Sequence, residues 1–466
     1  MITSLDSRVF DANSEAIGVS AATLMGNAGR SIAEVIDSRY AGKRIAFACG
    51  KGNNGGDGFA AASRIIAADA SVLLIEPASK ITGKTSLQYF DELHCTVSDF
   101  FSEDLETYDL IVDCALGTGS AGELREPYAS YADRLNGFTG DIVSVDVPTG
   151  MGTGNPVKPK LTIALHDVKE GMNETNSGEI VIKDIGIPAE AIEKVGPGDL
   201  LRYPVPRRDS HKGCGGTLLV IGGGPYFGAP ALSAMAAMRT GVDLVRIATP
   251  SASYLPIAMT SPVLTVEELE GDVLGPDHVR GLLELSRAYD AVLIGPGLGT
   301  DDRTADAIRD LVGSCDKPMV IDADGLNALG KDFRANGTVI LTPHSREFAR
   351  LGGIIGDDSR DGVRELAERT GATVVLKGTV DIISDGGRVR YNSTGNPGMT
   401  TGGTGDVLAG IIAGLVSKQM QAFDAACLGT YISGKAGDHA FEDRFYGLIA
   451  TDVVECIPSV LKDIQR

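Results

Sequence analysis

A chain of 466 residues is too long for one ordinary core, so two or three domains are expected, and 43% hydrophobic residues give each an adequate interior. A formal net charge of −20 repels polyanions, which argues against nucleic acid and anionic membrane surfaces as partners but leaves open phosphate ligands held by local backbone amides. Seven cysteines without C-x-x-C spacing suggest neither a disulfide framework nor a zinc site; with no leader-like start and no long apolar run, the expected location is the cytoplasm.

Helical spacing of Val9, Ala16, Leu24, Ala28, Ile32 and Ile36 marks residues 5–39. The apolar run Arg44–Cys49 reads as a strand entering a glycine-rich loop, with a helix starting near Gly58. Strands follow at 71–75, 110–114 and 142–147, and buried strands separated by helices predict a parallel sheet covered on both faces. Two prolines among charges at Tyr203–Arg208 mark a boundary, which predicts domains 1–205 and 206–466. Beyond it the alternation restarts: strands at 217–221, 244–248, 291–294, 319–322, 339–341 and 373–376, a helix from Pro230 and a long helix from near Gly405. The fold class is therefore α/β, with two doubly wound units.

The segment Gly50-Lys51-Gly52-Asn53-Asn54-Gly55-Gly56-Asp57-Gly58 follows the first strand and opens a helix, at the sheet edge where ligands bind. Its glycines are expected to bend the backbone and turn N–H groups toward a phosphate. Asp113–Gly119 and Asp146–Gly150 end two further strands, and three polar loops at one edge would converge on one crevice.

In this order N-N-G-G-D-G, D-x-x-x-G-T-G and D-x-P-T-G resemble the NAD(P)H-hydrate epimerase family over residues 1–205, a Rossmann-like domain. The resemblance implies substrate contacts from Asn53, Asn54, Gly55, Gly56 and Asp57, and from Gly117, Thr118, Gly119, Ser120, Ala121, Gly122 and Glu123. It implies a potassium ion on Asn54, Asp113 and Thr149, whose side chains all offer hard oxygen; Thr149 stands where the family usually has Ser. Asp146 is implied as a substrate contact and is the acid/base candidate. Lys169 reads equally as a neighbour of that crevice or a surface lysine.

In the second half Gly402-Gly403-Thr404-Gly405-Asp406 precedes the apolar helix pattern Val407, Leu408, Ile411, Ile412 and Leu415. Free N–H groups and the dipole at that helix start suit an anion, and Asp406 in the first turn could take a proton from a hydroxyl receiving a phosphoryl group. The motif resembles the ribokinase-like superfamily. Together with I-G-G-G-P-Y-F-G-A-P at 221–230, I-G-P-G-L-G at 294–299, I-D-A-D at 321–324, L-T-P-H at 341–344 and L-K-G at 376–378, it resembles the ADP- or ATP-dependent NAD(P)H-hydrate dehydratase family over residues 207–466.

That resemblance implies substrate contacts from Ala229, Gly297 or Gly299, His344 and the catalytic Asp406. It implies nucleotide contacts from Lys377, Gly378, Thr379, Val380, Asp381 and Gly405, with ADP or ATP as cosubstrate and magnesium as phosphate counter-ion. Asp381 replaces the family's Thr, so either it points away or nucleotide affinity changes. His344 reads equally as a capping residue. The implied partners are NAD(P)H hydrate, the nucleotide and further copies of the chain in a homo-oligomer. Two alternatives stay open: a small-molecule kinase fused to a Rossmann-like domain, and a dinucleotide sensor with a dead site.

Overall fold

The computed structural model describes residues 1–119, 122–356 and 359–465. The chain divides into two compact units, Met1–Ala191 and Ile192–Arg466. In the first, strands β1 (Arg44–Cys49), β2 (Asp69–Leu74), β3 (Thr96–Asp99), β4 (Leu110–Cys114), β5 (Asp141–Val145), β6 (Leu161–Leu165) and β7 (Glu179–Lys183) form one sheet in the order β3-β2-β1-β4-β5-β6-β7. Every pairing is parallel. Ile45 and Phe47 pack on one face while Ala46 and Ala48 pack on the other, as a strand covered on both sides requires. The order reverses between β1 and β4, and the crevice beyond their carboxyl ends is where an open α/β sheet takes a ligand.

The second unit holds β8 (Thr217–Ile221), β9 (Leu244–Pro250), β10 (Thr265–Leu269), β11 (Ala291–Ile294), β12 (Met319–Ile321), β13 (Val339–Leu341), β14 (Thr373–Leu376), β15 (Asp381–Ser384) and β16 (Val389–Asn392). Their order is β10-β9-β8-β11-β12-β13-β14-β15-β16, parallel as far as β14 and antiparallel after it. Its switch point lies between β8 and β11. Helix Thr404–Ser417 is buried from Val407 onward. A Cβ at Gly410 would strike the Ser233 carbonyl, so glycine there lets this helix lie directly on helix Gly228–Arg239.

Two expectations are corrected. The pattern over 5–39 is two helices, Ser4–Ala16 and Ala21–Arg39, because Gly18 at φ +96° breaks it and Ser20 caps the second. The helix after β1 starts at Asn53 rather than near Gly58. The two compact units divide at 191/192, whereas the prolines predict a domain boundary at 205/206. Arg390 on β16 donates to Ile192 O (3.0 Å) and Lys194 O (2.6 Å) and pairs with the fully buried Asp199, while Val195 N bonds Tyr391 O at 2.8 Å. Residues 192–202 are thus stitched to the second sheet's edge, and Pro204 and Pro206 interrupt a loop inside that unit. Strands β3, β6, β7, β10, β15 and β16 went unread; among the described residues no helix is long and apolar enough to cross a membrane.

Candidate active sites

None of the glycines between Gly50 and Gly58 has positive φ, so conformational freedom is not why they are there. They are small. A Cβ at Gly55 would collide with Gly50 O, and one at Gly58 would lie 2.7 Å from Cys49 Sγ and 2.8 Å from Cys114 Cβ. Their absence lets helix Asn53–Ala62 rest directly on β1 and β4 and brings its first turn to the switch point. The motif's N-N-G-G-D is itself that first turn, with unpaired N–H groups and a helix dipole facing the crevice.

The three loops meet at Gly117. A Cβ placed there would sit 3.4 Å from Asn54 Cβ and 3.6 Å from Asp146 Oδ2, so this glycine lies between the end of β1 and the end of β5. Asn54 is 8% exposed, and both ends of its side-chain amide are buried without a hydrogen-bond partner. An orphaned buried amide costs roughly 1–3 kcal/mol unless a ligand satisfies it.

Asp113 is fully buried. Its Oδ1 accepts from Thr149 Oγ1 (2.7 Å), Tyr131 OH (2.9 Å) and Ala115 N (3.3 Å), and its Oδ2 from Ser144 Oγ (2.8 Å) and Thr149 N (3.0 Å). Burial raises its pKa despite these donors. Thr149 Oγ1 also lies 3.3 Å from Leu116 O, an alternative acceptor for its proton.

Asp146 adopts φ +66°, a left-handed conformation that Asp tolerates better than most side chains. Its Oδ1 pairs with Lys169 Nζ. Lys169 is 3% exposed, which rules out the surface-lysine reading. Two more carboxylates surround this pair. Burial first, then Asp146 and Asp11, raise the pKa of Asp57 well above the usual range, with Lys169 opposing. Asp11, on helix Ser4–Ala16, is pushed up to about 6 by partial loss of its solvent shell and then by the Asp146 carboxylate, with Lys169 opposing. Asp146 holds the ammonium, while burial and the neighbouring carboxylates raise Asp57 and Asp11 against its pull.

Sequence reading missed Asp11. Its only signal is position beside Phe10, whose ring packs edge-on against His166 at 6.0 Å, while Ile2 N bonds Val168 O at 3.0 Å. Those contacts dock the N-terminal helix on the loop that carries Lys169. Glu123 is exposed and accepts from Gly154 N at 3.3 Å; Gly119 and Gly122 are exposed, whereas Ser120 and Ala121 lie outside the described residues.

In the second unit Gly403, at φ +95°, caps helix Thr404–Ser417 and places Asp406 in its first turn. Burial, then the nearby Asp322 carboxylate, push Asp406 up to about 7, against the pull of Lys377. Lys377 Nζ donates to Asp322 Oδ1 at 2.7 Å, and a Cβ at Gly405 would be 3.4 Å from the same ammonium. Burial alone would lower the Lys377 pKa, but Asp322, with Glu347 and Asp406, holds it above its ordinary value. The ammonium and the helix start therefore face one position suited to an anion, with the Asp406 carboxyl beside it. Asp322 and Glu347 adjoin Lys377 here, and the sequence reading gives neither a role.

The rim around them is made of strand ends. Gly297 (φ +72°) would strike Tyr226 O if it carried a side chain, and Gly299 N donates to Asp324 Oδ2 at 2.8 Å. Ala229 lies in the first turn of helix Gly228–Arg239, whose Ser233 Oγ bonds Asp406 O at 2.9 Å. His344 is a cap: its Nδ1 accepts from Arg346 N (3.0 Å) and Glu347 N (3.4 Å). Accepting at Nδ1 leaves the proton on Nε2, and the half-exposed ring can still offer that N–H to a ligand. Asp381 turns back into its own loop, accepting from Gly378 N and Asn392 Nδ2, both at 3.1 Å. It locks residues 377–381 instead of facing the anion position; Gly378, Thr379 and Val380 are exposed along that loop.

Comparison with known proteins gives a consistent result. A family model described as NAD(P)H-hydrate dehydratase matches residues 218–459, and one described as YjeF-related protein N-terminus matches residues 21–171. The bifunctional NAD(P)H-hydrate repair enzyme Nnr of Methanothermobacter thermautotrophicus is 40% identical over 98% of this chain and 94% of its own length. That of Archaeoglobus fulgidus is 37% identical over 99% and 98%. The ADP/ATP-dependent NAD(P)H-hydrate dehydratase of Bacillus subtilis, crystallised with ATP and Mg2+, superposes on 58% of this chain and 98% of its own at 28% identity, with a TM-score of 0.52. The paired sheets, their loaded switch points and full-length similarity lead to one conclusion: the chain belongs to the family of bifunctional NAD(P)H-hydrate repair enzymes.

Proposed function

We propose that the first unit interconverts the two C6 epimers of hydrated NADH or NADPH, and that the second dehydrates one epimer to the intact coenzyme with ADP or ATP as phosphoryl donor. The observation that carries this reading is the second unit's Lys377–Asp322 pair and Asp406 facing one helix start. Hydroxide is a poor leaving group, and phosphorylation of the C6 hydroxyl turns it into phosphate. Asp406 accepts the hydroxyl proton, the Gly403–Asp406 backbone amides and Lys377 stabilise charge on the transferring phosphoryl, the ring nitrogen's electron pair expels the phosphate, and loss of the C5 proton restores the C5=C6 double bond. Magnesium, when bound, neutralises the nucleotide's phosphates.

In the first unit, the C6–O bond breaks and re-forms on the opposite face, Asp146 giving a proton to the departing hydroxyl and taking one from the returning water, while Lys169 holds its carboxylate in place. Asn53 to Asp57 and the 117–123 loop grip the dinucleotide. Asp146→Asn is the test: with both epimers and ADP present, NADH absorbance should recover quickly for one half and about 10²-fold more slowly than wild type for the other. Identical biphasic curves for variant and wild type would remove Asp146 from the reaction.

Asn54, Asp113 and Thr149 suit a potassium ion. The orphaned Asn54 amide supplies an oxygen with nothing else to bind, and Thr149 can pass its proton to Leu116 O and turn a lone pair to a cation. Bound there, potassium would add positive charge beside the crevice. Exchanging potassium for lithium should lower the first unit's melting temperature and slow epimerisation but not dehydration, and Asn54→Ala should erase the thermal response. Equal melting in both salts would dismiss the ion.

A further inference from the structure

Beyond the end of β2 stands Glu76, 8% exposed. Lys51, from the glycine segment, approaches its carboxylate to 3.2 Å, Lys80, from the short turn Ala78–Lys80, to 3.3 Å, and Tyr128 OH donates to it at 2.8 Å. Burial alone would raise the Glu76 pKa, but Tyr128 and the two lysines hold it below the ordinary carboxylate range, so it stays charged. Thr82 joins the two segments, donating from N (2.8 Å) and Oγ1 (3.1 Å) to Lys51 O. The carboxylate is used up by its own neighbours, while the lysine side chains remain 43% and 60% exposed. The cluster presents two cations to solvent against one hidden anion.

Its place in the fold indicates a ligand. When a dinucleotide lies across a sheet of this strand order, its pyrophosphate sits at the helix after β1 and its adenosine ribose at the end of β2. A free carboxylate at that point accepts the ribose 2′-hydroxyl; a basic group accepts a 2′-phosphate. Here the carboxylate is occupied and the ammonium groups face outward.

We infer that Lys51 and Lys80, held together by Glu76 and Tyr128, form a subsite for an adenosine 2′-phosphate, so that the first unit favours NADPH hydrate over NADH hydrate. The inference rests on the dinucleotide reading of that unit. Asn53 to Asp57 would then hold the middle of the substrate, and Asp146 its nicotinamide end. Lys51 and Lys80 are specificity residues, and Glu76 is a positioning residue acting through them.

The test compares the full-length wild type with Lys51→Gln, Lys80→Gln and Glu76→Gln in epimerisation of the two hydrates, and in binding of adenosine 2′,5′-bisphosphate against 5′-AMP. Each lysine variant should lower the NADPH-hydrate to NADH-hydrate ratio of kcat/KM by about tenfold, the worth of one charge-assisted phosphate contact. The same variants should weaken the bisphosphate but not 5′-AMP. Equal losses with both hydrates would assign the lysines to the pyrophosphate and overturn the proposal, as would an unchanged ratio. If the wild type epimerises neither hydrate, the functional reading fails; the bisphosphate comparison still decides the subsite, with equal binding to wild type and lysine variants overturning it.

Discussion

Asp406→Asn should lower nucleotide-dependent recovery of NADH by about 10²–10⁴-fold, the range over which a positioned general base contributes. The substitution keeps the shape of the helix's first turn and removes only the proton acceptor. It also removes a negative charge facing Asp322 and Asp324, so a merely structural Asp406 would be indifferent to the change or relieved by it. Thermal unfolding of the second unit should therefore be unchanged or slightly raised while activity disappears. The pH profile gives an independent check. Asp406 is pushed up to about 7 by burial and Asp322, and only its ionised form accepts a proton. Dehydration at low substrate should fall about tenfold per pH unit below that value and level off above it. Full activity in Asp406→Asn, or a wild-type rate flat from pH 5 to 8, would remove the base from the mechanism.

Lys377→Met should damage both stability and activity. Asp322 is 1% exposed, with Lys377 Nζ (2.7 Å) and Thr342 Oγ1 (2.8 Å) on its Oδ1. Removing the cation strands that carboxylate in the interior, which costs about 3–5 kcal/mol when one partner of a buried pair is deleted. The same ammonium faces Gly405 at the anion position, so nucleotide affinity should fall by at least tenfold. The double variant Lys377→Met/Asp322→Asn separates the roles. It lacks the stranded charge and should regain most of the lost melting temperature, yet it should remain inactive because no cation meets the phosphates. A double variant that regained activity with stability would reduce Lys377 to a structural part.

Local chemistry made much of each site legible. Asp113 and Asp146 could be singled out because strand-end aspartates near glycines are local patterns, and Asp406 because a glycine run opening an apolar helix is one. The helix of 404–417 was readable because its apolar face is continuous. Other features were opaque for a common reason. Gly55 and Gly58 read as residues that bend the backbone toward a phosphate, since nothing in a linear string says that Gly50 O and the Cys49 and Cys114 side chains will press against them. His344 is equally a cap and a ligand until Arg346 N and Glu347 N are seen at its Nδ1. Edge strands such as β7, β15 and β16 carry mixed polar and apolar residues, and their strand character comes from the neighbour they pair with.

The sequence by itself determined the two α/β units, the strand-end placement of the motifs and, through those motifs, the family. Periodicity and turn chemistry act over a few residues and survive without a fold. Tertiary structure alone decided where the units divide, because Asp199 is tied to the second unit by Arg390, 191 residues away. It alone decided which carboxyl groups are raised above their ordinary range, because the repulsion of Asp11 and Asp57 by Asp146, and of Asp406 by Asp322, depends on distances that chain folding sets. Burial and long-range Coulomb interaction have no signature in a string of residues; they exist only once distant segments have been packed together.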